Sequence, residues 1–231
     1  PQHLAADEHH AAWCGEKGYV ALTAGAGCLL GVALTAAADD DHLRDAYGTF
    51  RDEARDVHPA YAPETVNTDG WKATQNAWRA LFSGIAVILC YLHGFLKIRD
   101  RVRKDHDLHG HVWEVYWAAT KTEFGKRMRD FRRWWQGKSW AAPVREALEK
   151  LWNHRREYAA SYEHPGCHRT SNLVDRLTNR LYRVLYAGRG LHGHQASSEA
   201  RLRGWALLLN FRPLCSPQWH APRLSKSGPP A

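Results

Sequence analysis

The sequence has no run of about 18 uncharged apolar residues, the length a membrane-spanning helix needs. Its longest approach to one, Val20 to Ala38, is rich in Gly, Ala and Thr and reads as two strands. No basic segment precedes that run, so it reads poorly as a secretory signal. Cysteine is scarce, odd in number and scattered (Cys14, Cys28, Cys90, Cys167, Cys215), which excludes a disulfide framework and points to a reducing, cytosolic setting. There is no internal repeat, so a solenoid or propeller is excluded. At 231 residues the chain is long enough to bury a full core as one domain, or as one domain with an insertion.

Charge is abundant and unevenly spread. Residues 1–95 hold 6 Lys/Arg against 12 Asp/Glu, a net of −6, and residues 96–231 hold 26 against 12, a net of +14. An acidic half joined to a basic half suggests a polyanionic partner held by one part. Carboxylates beside a phosphate backbone are reasonable if cations sit between them.

The apolar pattern divides the chain. Gln2–Ala6 reads as a short strand ending in Asp7-Glu8, and Tyr19–Ala24 and Cys28–Ala36 as two strands joined by a three-residue Gly25-Ala26-Gly27 loop. Asp39-Asp40-Asp41 opens a helix on Leu43, Ala46, Tyr47, Phe50 and Ala54, which Pro59 and Pro63 end. Glu64–Thr68 is a strand, Trp71–Phe82 a helix and Ile85–Leu92 a strand buried on both faces. The order β-β-β-α-β-α-β predicts an α/β fold with a mixed sheet and helices on its faces. Residues 96–163 read as an all-α insertion of basic, Trp-rich helices, and 164–212 as a loop and further helices that complete the core of residues 1–95. The tail, 213–231, is Pro-rich from Ser216 onward and reads as disordered.

That element order is also the one found in ribonuclease-H-like nucleotidyl transferases, and three segments carry a closer likeness. TDGWKAT…AWRALF…VILCYLHGFLKIRDR (from Thr68) resembles the second catalytic block of the Mutator-like DDE/DDD transposases of bacterial insertion sequences, with its Asp-Gly turn and its C-x-x-H at Cys90 and His93. HRTSNLVDRLTNRL resembles the third block, and the strand ending in AADEHH the first. The likeness covers roughly residues 3 to 212.

The resemblance implies that Asp7, Asp69 and Asp175 together hold two Mg²⁺ ions, or Mn²⁺. Such a pair, about 4 Å apart, activates a nucleophile on one side of a phosphodiester and stabilises the leaving oxygen on the other. The implied activity is strand cleavage and strand transfer during transposition, with DNA as partner, a homo-oligomer allowed, and the bacterial cytosol or nucleoid as location. An inactive remnant that binds DNA without sequence preference, and a nuclease of the same fold, stay open beside it. Because the chain begins inside the first block, the resemblance also implies an N-terminally truncated copy that binds DNA weakly.

Read one at a time, the same residues have plainer meanings. Asp69 before Gly70 could be a turn or N-cap residue, and Asp175, three after Asn172, a capping-box acid. Glu8 competes with Asp7, and Glu199 and, less strongly, Glu163 with Asp175. Cys90 and His93 alone do not make a zinc site, although Cys167 or His168 would extend the set if the later loop folded back. As supporting residues, Cys90 belongs in the core and His93 beside the DNA or the site. His192 and His194 have no ligand spacing. Lys97, Arg99, Arg101, Arg103 and Lys104, with Arg127, Arg129, Arg132 and Arg133, are candidate phosphate contacts. Trp134-Trp135 could stack on unpaired bases or fill the core of the helical insertion.

Overall fold

The computed structural model describes residues 1–211 of the chain. The expected disordered tail, 213–231, lies outside them. Five strands, β1 (His3–Trp13), β2 (Glu16–Gly25), β3 (Cys28–Thr35), β4 (Thr65–Thr68) and β5 (Ala86–Leu89), form one mixed sheet in the order β3-β2-β1-β4-β5. The first three are antiparallel neighbours, and β4 and β5 run parallel to β1. The antiparallel strands are joined by two-residue turns, Cys14-Gly15 (φ 51° and 86°) and Ala26-Gly27 (φ 50° and 81°). Positive φ at both positions matches the twist of the flanking strands, so the second connection is shorter than the three-residue loop expected.

Parallel neighbours need crossovers. α1 (Asp40–Val57) supplies one and α2 (Lys72–Leu81) the other. α1 starts where the Asp39 carboxylate accepts the His42 N–H at 3.0 Å and stops before Pro59. Leu43, Ala46, Tyr47 and Phe50 of α1 and Ala73, Ala77, Trp78 and Leu81 of α2 pack on one face of the sheet, against Leu4, Ala6, Ala21, Ala33 and Val66. The other face is covered by the last two helices of the described residues.

After β5 come α3 (Tyr91–Arg99), α4 (His106–Tyr116), α5 (Lys121–Gln136), α6 (Ala142–Asn153), α7 (Arg155–Ala159) and a 3₁₀ turn, Ala160–Tyr162. These build a core of their own around Ile98, Leu108, Val112, Met128, Leu148 and Leu151. Trp135 is buried in it, Trp113, Trp134, Trp140 and Trp152 pack on its margin, and Trp117 is exposed. Trp134 and Trp135 therefore belong to the core of the insertion. Tyr91 and Phe95, on the N-terminal side of the boundary at residue 96, already belong to this cluster. The chain then returns as α8 (Asn172–Ala187) and α9 (Gln195–Phe211), which set Val174, Leu177, Leu181, Leu185 and Leu202 on Ala5, Val20, Leu22 and Leu34. Each fully buried leucine contributes roughly 1.5–3 kcal/mol, which makes α8 an integral layer. No helix among the described residues is long and apolar enough to cross a membrane.

Two element boundaries differ from the sequence expectation. β1 continues through Asp7 to Trp13 and does not end at Ala6. The polar run Asp7-Glu8-His9-His10 hides the strand because its side chains serve polar contacts on both faces. β5 ends at Leu89, whereas the apolar run to Leu92 read as strand; Cys90 is the N-cap of α3. The apolar residues continue because Tyr91 turns into the helical core.

Candidate active site

β1 has the period-two alternation of a strand covered on both faces. Leu4, Ala6 and Glu8 point to the α1/α2 side, and Ala5, Asp7 and Ala11 to the α8 side. Asp7 is half-buried there, and Thr178 of α8 donates to its Oδ2 at 3.3 Å. The β1–β4 ladder pairs His3 with Thr65, Leu4 with Val66 and Ala5 with Asn67. The same offset, continued just past the ladder, sets Asp69 beside Asp7. Asp175 lies one helical turn before Thr178 on α8. Burial raises the Asp7 pKa, and the charges of Asp69 and then Asp175 raise it further. Asp7 thus feels the charge of the other two acids, which come from two further segments of the chain.

Each of the other two acids is anchored. The Asp69 Oδ1 accepts the Trp71 N–H at 2.9 Å, so the plain turn role applies to that oxygen. The Asp175 Oδ2 accepts the Ser171 hydroxyl at 2.8 Å. The N-cap of α8 is Ser171, one residue before Asn172, so Asp175 stands outside the capping-box position.

Ser171 connects Asp175 to the C-x-x-H pair. Its N–H donates to the Cys90 Sγ at 3.2 Å, and its Oγ lies 3.3 Å from both the Cys90 Sγ and the His93 Nδ1. Burial opposes ionisation of the Cys90 thiol, but hydrogen bonds from His93 and Ser171 outweigh it and bring the pKa below the ordinary value. The bond to Cys90 raises His93 to about 9 against burial, with Cys90, Asp175 and Asp69 adding to the rise. At neutral pH His93 is therefore a cation, and an N–H of the imidazolium can donate to Ser171 while Ser171 donates to Asp175.

The loop before α8 does fold back onto this region. Asn67 of β4 donates to the His168 carbonyl at 3.0 Å, and the Tyr91 N–H to the Arg169 carbonyl at 3.2 Å. Yet Cys167 donates to the Ser161 carbonyl, and among the described residues no three His, Cys, Asp or Glu side chains are gathered to hold a metal ion. That applies both to Cys90 and His93 with Cys167 or His168 and to the three aspartates as they are oriented here. The donor chemistry of Asp7, Asp69 and Asp175, oxygen only and mutually repelling, nonetheless suits a hard divalent cation.

The competing acids sit elsewhere. Glu8 points away from Asp7, where Tyr47 and Thr74 donate to its Oε1. Burial lifts its pKa to about 7 despite those two bonds. Glu199 lies on α9, bonded to Gln195 in a cleft at the β3 side of the sheet. Glu163 pairs with Lys121 on the helical insertion. Lys97, Arg99 and Arg101 are exposed, with Arg99 beside Asp100 and Arg101 bonded to the Lys97 carbonyl. Arg133 pairs with Asp130, while Arg132 is half-buried with its guanidinium 4.3 Å from the Trp152 ring.

Ser171, Thr178 and Asn67 were not among the sequence candidates. For Thr178 a signal exists, its i+3 spacing from Asp175 on a helix face. Ser171 has one too, its i+4 spacing from Asp175, whereas Asn67 has none, because its partner is brought in by the fold. No protein-family model matches the chain, and no curated protein matches it.

Proposed function

We propose that the chain is a metal-dependent polynucleotidyl transferase domain of ribonuclease-H-like type, acting as a transposase catalytic domain on DNA in the bacterial cytosol. The observation that carries this reading is the placement of three carboxylates, one on a central strand, one just past the parallel strand next to it, and one on the helix whose Thr178 bonds the first. The strand order supports it, and so do the exposed cations Lys97, Arg99 and Arg101 on and just after α3. Asp7, Asp69 and Asp175 would hold divalent ions, which supply Lewis acidity on both sides of a scissile phosphodiester. Thr178 orients Asp7, and Ser171, backed by His93, orients Asp175. Lys97, Arg99 and Arg101 contact phosphates without reading sequence.

A second reading, a DNA-binding remnant without activity, is favoured by one observation, the absence of a gathered three-ligand group among the described residues. Nicking and strand transfer of supercoiled DNA in Mg²⁺ or Mn²⁺, with Asp69→Asn as control, separates the two. Metal-dependent cleavage lost in the variant supports the enzyme, and strand transfer distinguishes a transposase from a nuclease. Cleavage that survives the substitution excludes the mechanism.

A further inference from the structure

The groove between the second half of β1 and the second half of α8 is lined by none of the three acids. Strand and helix run side by side, with Thr178 on Asp7 and, one turn on, Tyr182 edge-on to His9 at 5.6 Å between ring centroids. Two strand residues span about 6.7 Å and four helical residues about 6 Å, so the two elements stay in step. The groove encloses about 560 Å³, lined by His9, Ala12, Tyr182, Tyr186, Arg189 and Gly190 among others.

Its wall is aromatic and open. Tyr182 and Tyr186 are 51% and 75% exposed, and their rings stack at 6.0 Å with planes 26° apart. Two neighbouring tyrosine faces left in water offer an unused surface for a planar ligand. The groove carries one cation, Arg189, which is exposed and has no carboxylate partner among the described residues, and no Asp or Glu is among the residues that line it.

Arg189 is held at the groove by a costly backbone. It has φ 54°, a left-handed conformation that costs a non-glycine residue roughly 1–2 kcal/mol. The chain around it leaves little choice. Gly190 donates to the Leu185 carbonyl at 2.7 Å, and Leu191 is bridged to the end of β1 through Ala12 and Cys14. A Cβ on Gly190 would stand 2.5 Å from the Ala12 carbonyl oxygen. With the Arg189 N–H donating to the Tyr186 carbonyl at 3.1 Å, these bonds form the Schellman cap of α8, which fixes where Arg189 leaves the helix.

We propose that this groove binds unpaired nucleotides of a DNA strand leading away from the acid cleft, with bases on Tyr182 and Tyr186 and a phosphate on Arg189. The inference rests on the nucleic-acid reading of that cleft. An unpaired strand fits better than a duplex, because stacked pairs hide the base faces that tyrosine rings recognise.

The test is fluorescence anisotropy of labelled oligo(dT) and of a duplex of equal length, on the full chain at fixed salt. Tyr182→Ala and Tyr186→Ala should each weaken single-strand binding by roughly ten-fold, with Phe at either position restoring it. Duplex binding should change little. Both side chains are exposed, so the fold should tolerate the substitutions. Arg189→Gln should lower the salt dependence of single-strand binding. Tyrosine-dependent binding in a protein that never cleaves DNA would keep this site while removing the enzyme reading. Cleavage by a protein whose single-strand affinity ignores both tyrosines would do the reverse. The proposal is also overturned if the Ala variants change only the mass seen by light scattering, since the face would then join two copies of the chain.

Discussion

Replacing Glu8 with Gln isolates the carboxylate that β1 turns away from the acid cleft. Its pKa stands at about 7 in the fold against an ordinary 4.5, because burial penalises the anion more than the Tyr47 and Thr74 hydroxyls favour it. A raised acid pKa gives a contribution fully present below the unfolded value and lost as pH rises through the folded one. At about 1.4 kcal/mol per unit, the wild type loses up to about 3 kcal/mol between roughly pH 4.5 and pH 8 from this group alone. Gln keeps an acceptor for both hydroxyls and never ionises. The variant should match the wild type near pH 4.5 and exceed it by up to about 3 kcal/mol near pH 8, or roughly 6–12 °C in a chain of this size. Urea unfolding across that range, in chelator so that no cation bridges the neighbouring Asp7, reads the difference. Stability curves that stay parallel across the range would refute the reasoning.

Further outcomes follow from other positions. Ser171→Ala removes the only side-chain donor to Asp175 among the described residues and a partner of Cys90, so it should cost about 1–3 kcal/mol in stability and, if the chain cleaves DNA, lower kcat more than it raises KM. Ala26→Asn should stabilise the chain by about 1 kcal/mol in thermal unfolding, since Asn tolerates the left-handed turn that Ala26 is forced to adopt. In DNA binding against salt, Lys97→Gln should reduce the slope of log K on log salt by about 0.9. Arg132→Gln should leave that slope unchanged and lower stability instead, because its guanidinium packs on Trp152.

Apolar strands and amphipathic helices were legible because burial on a known period leaves a pattern in the sequence. Tyr19–Ala24, Cys28–Ala36 and the helix begun by Asp39 follow from alternation, a turn and a cap. The second half of β1 was not legible, since Asp7, Glu8 and His9 break the apolar pattern where the strand carries its polar work. Glu8 read as a rival to Asp7, yet adjacent strand residues face opposite layers, and a period-two argument would have separated them. Trp134 and Trp135 were legible as core of the insertion, and Trp135 is buried in it with Trp134 packed on its margin, whereas Trp117 is exposed. Asn67 could not be chosen, because its partner lies 101 residues away in the chain, and of Ser171's contacts the i+4 one to Asp175 was legible on a helix start whereas the Cys90 one, 81 residues away, was not.

The central claim is that Asp7, Asp69 and Asp175 share a divalent-cation site. Thermal unfolding with increasing Mn²⁺ tests it most directly. Saturation to about 100 times Kd is worth about 2.7 kcal/mol, so the wild-type Tm should rise by roughly 5–10 °C. Asp7→Asn should abolish the rise while making the metal-free protein more stable near neutral pH, since it removes a charge that burial, Asp69 and Asp175 all oppose. A wild type indifferent to Mn²⁺, or an equal rise in Asp7→Asn, would contradict the claim.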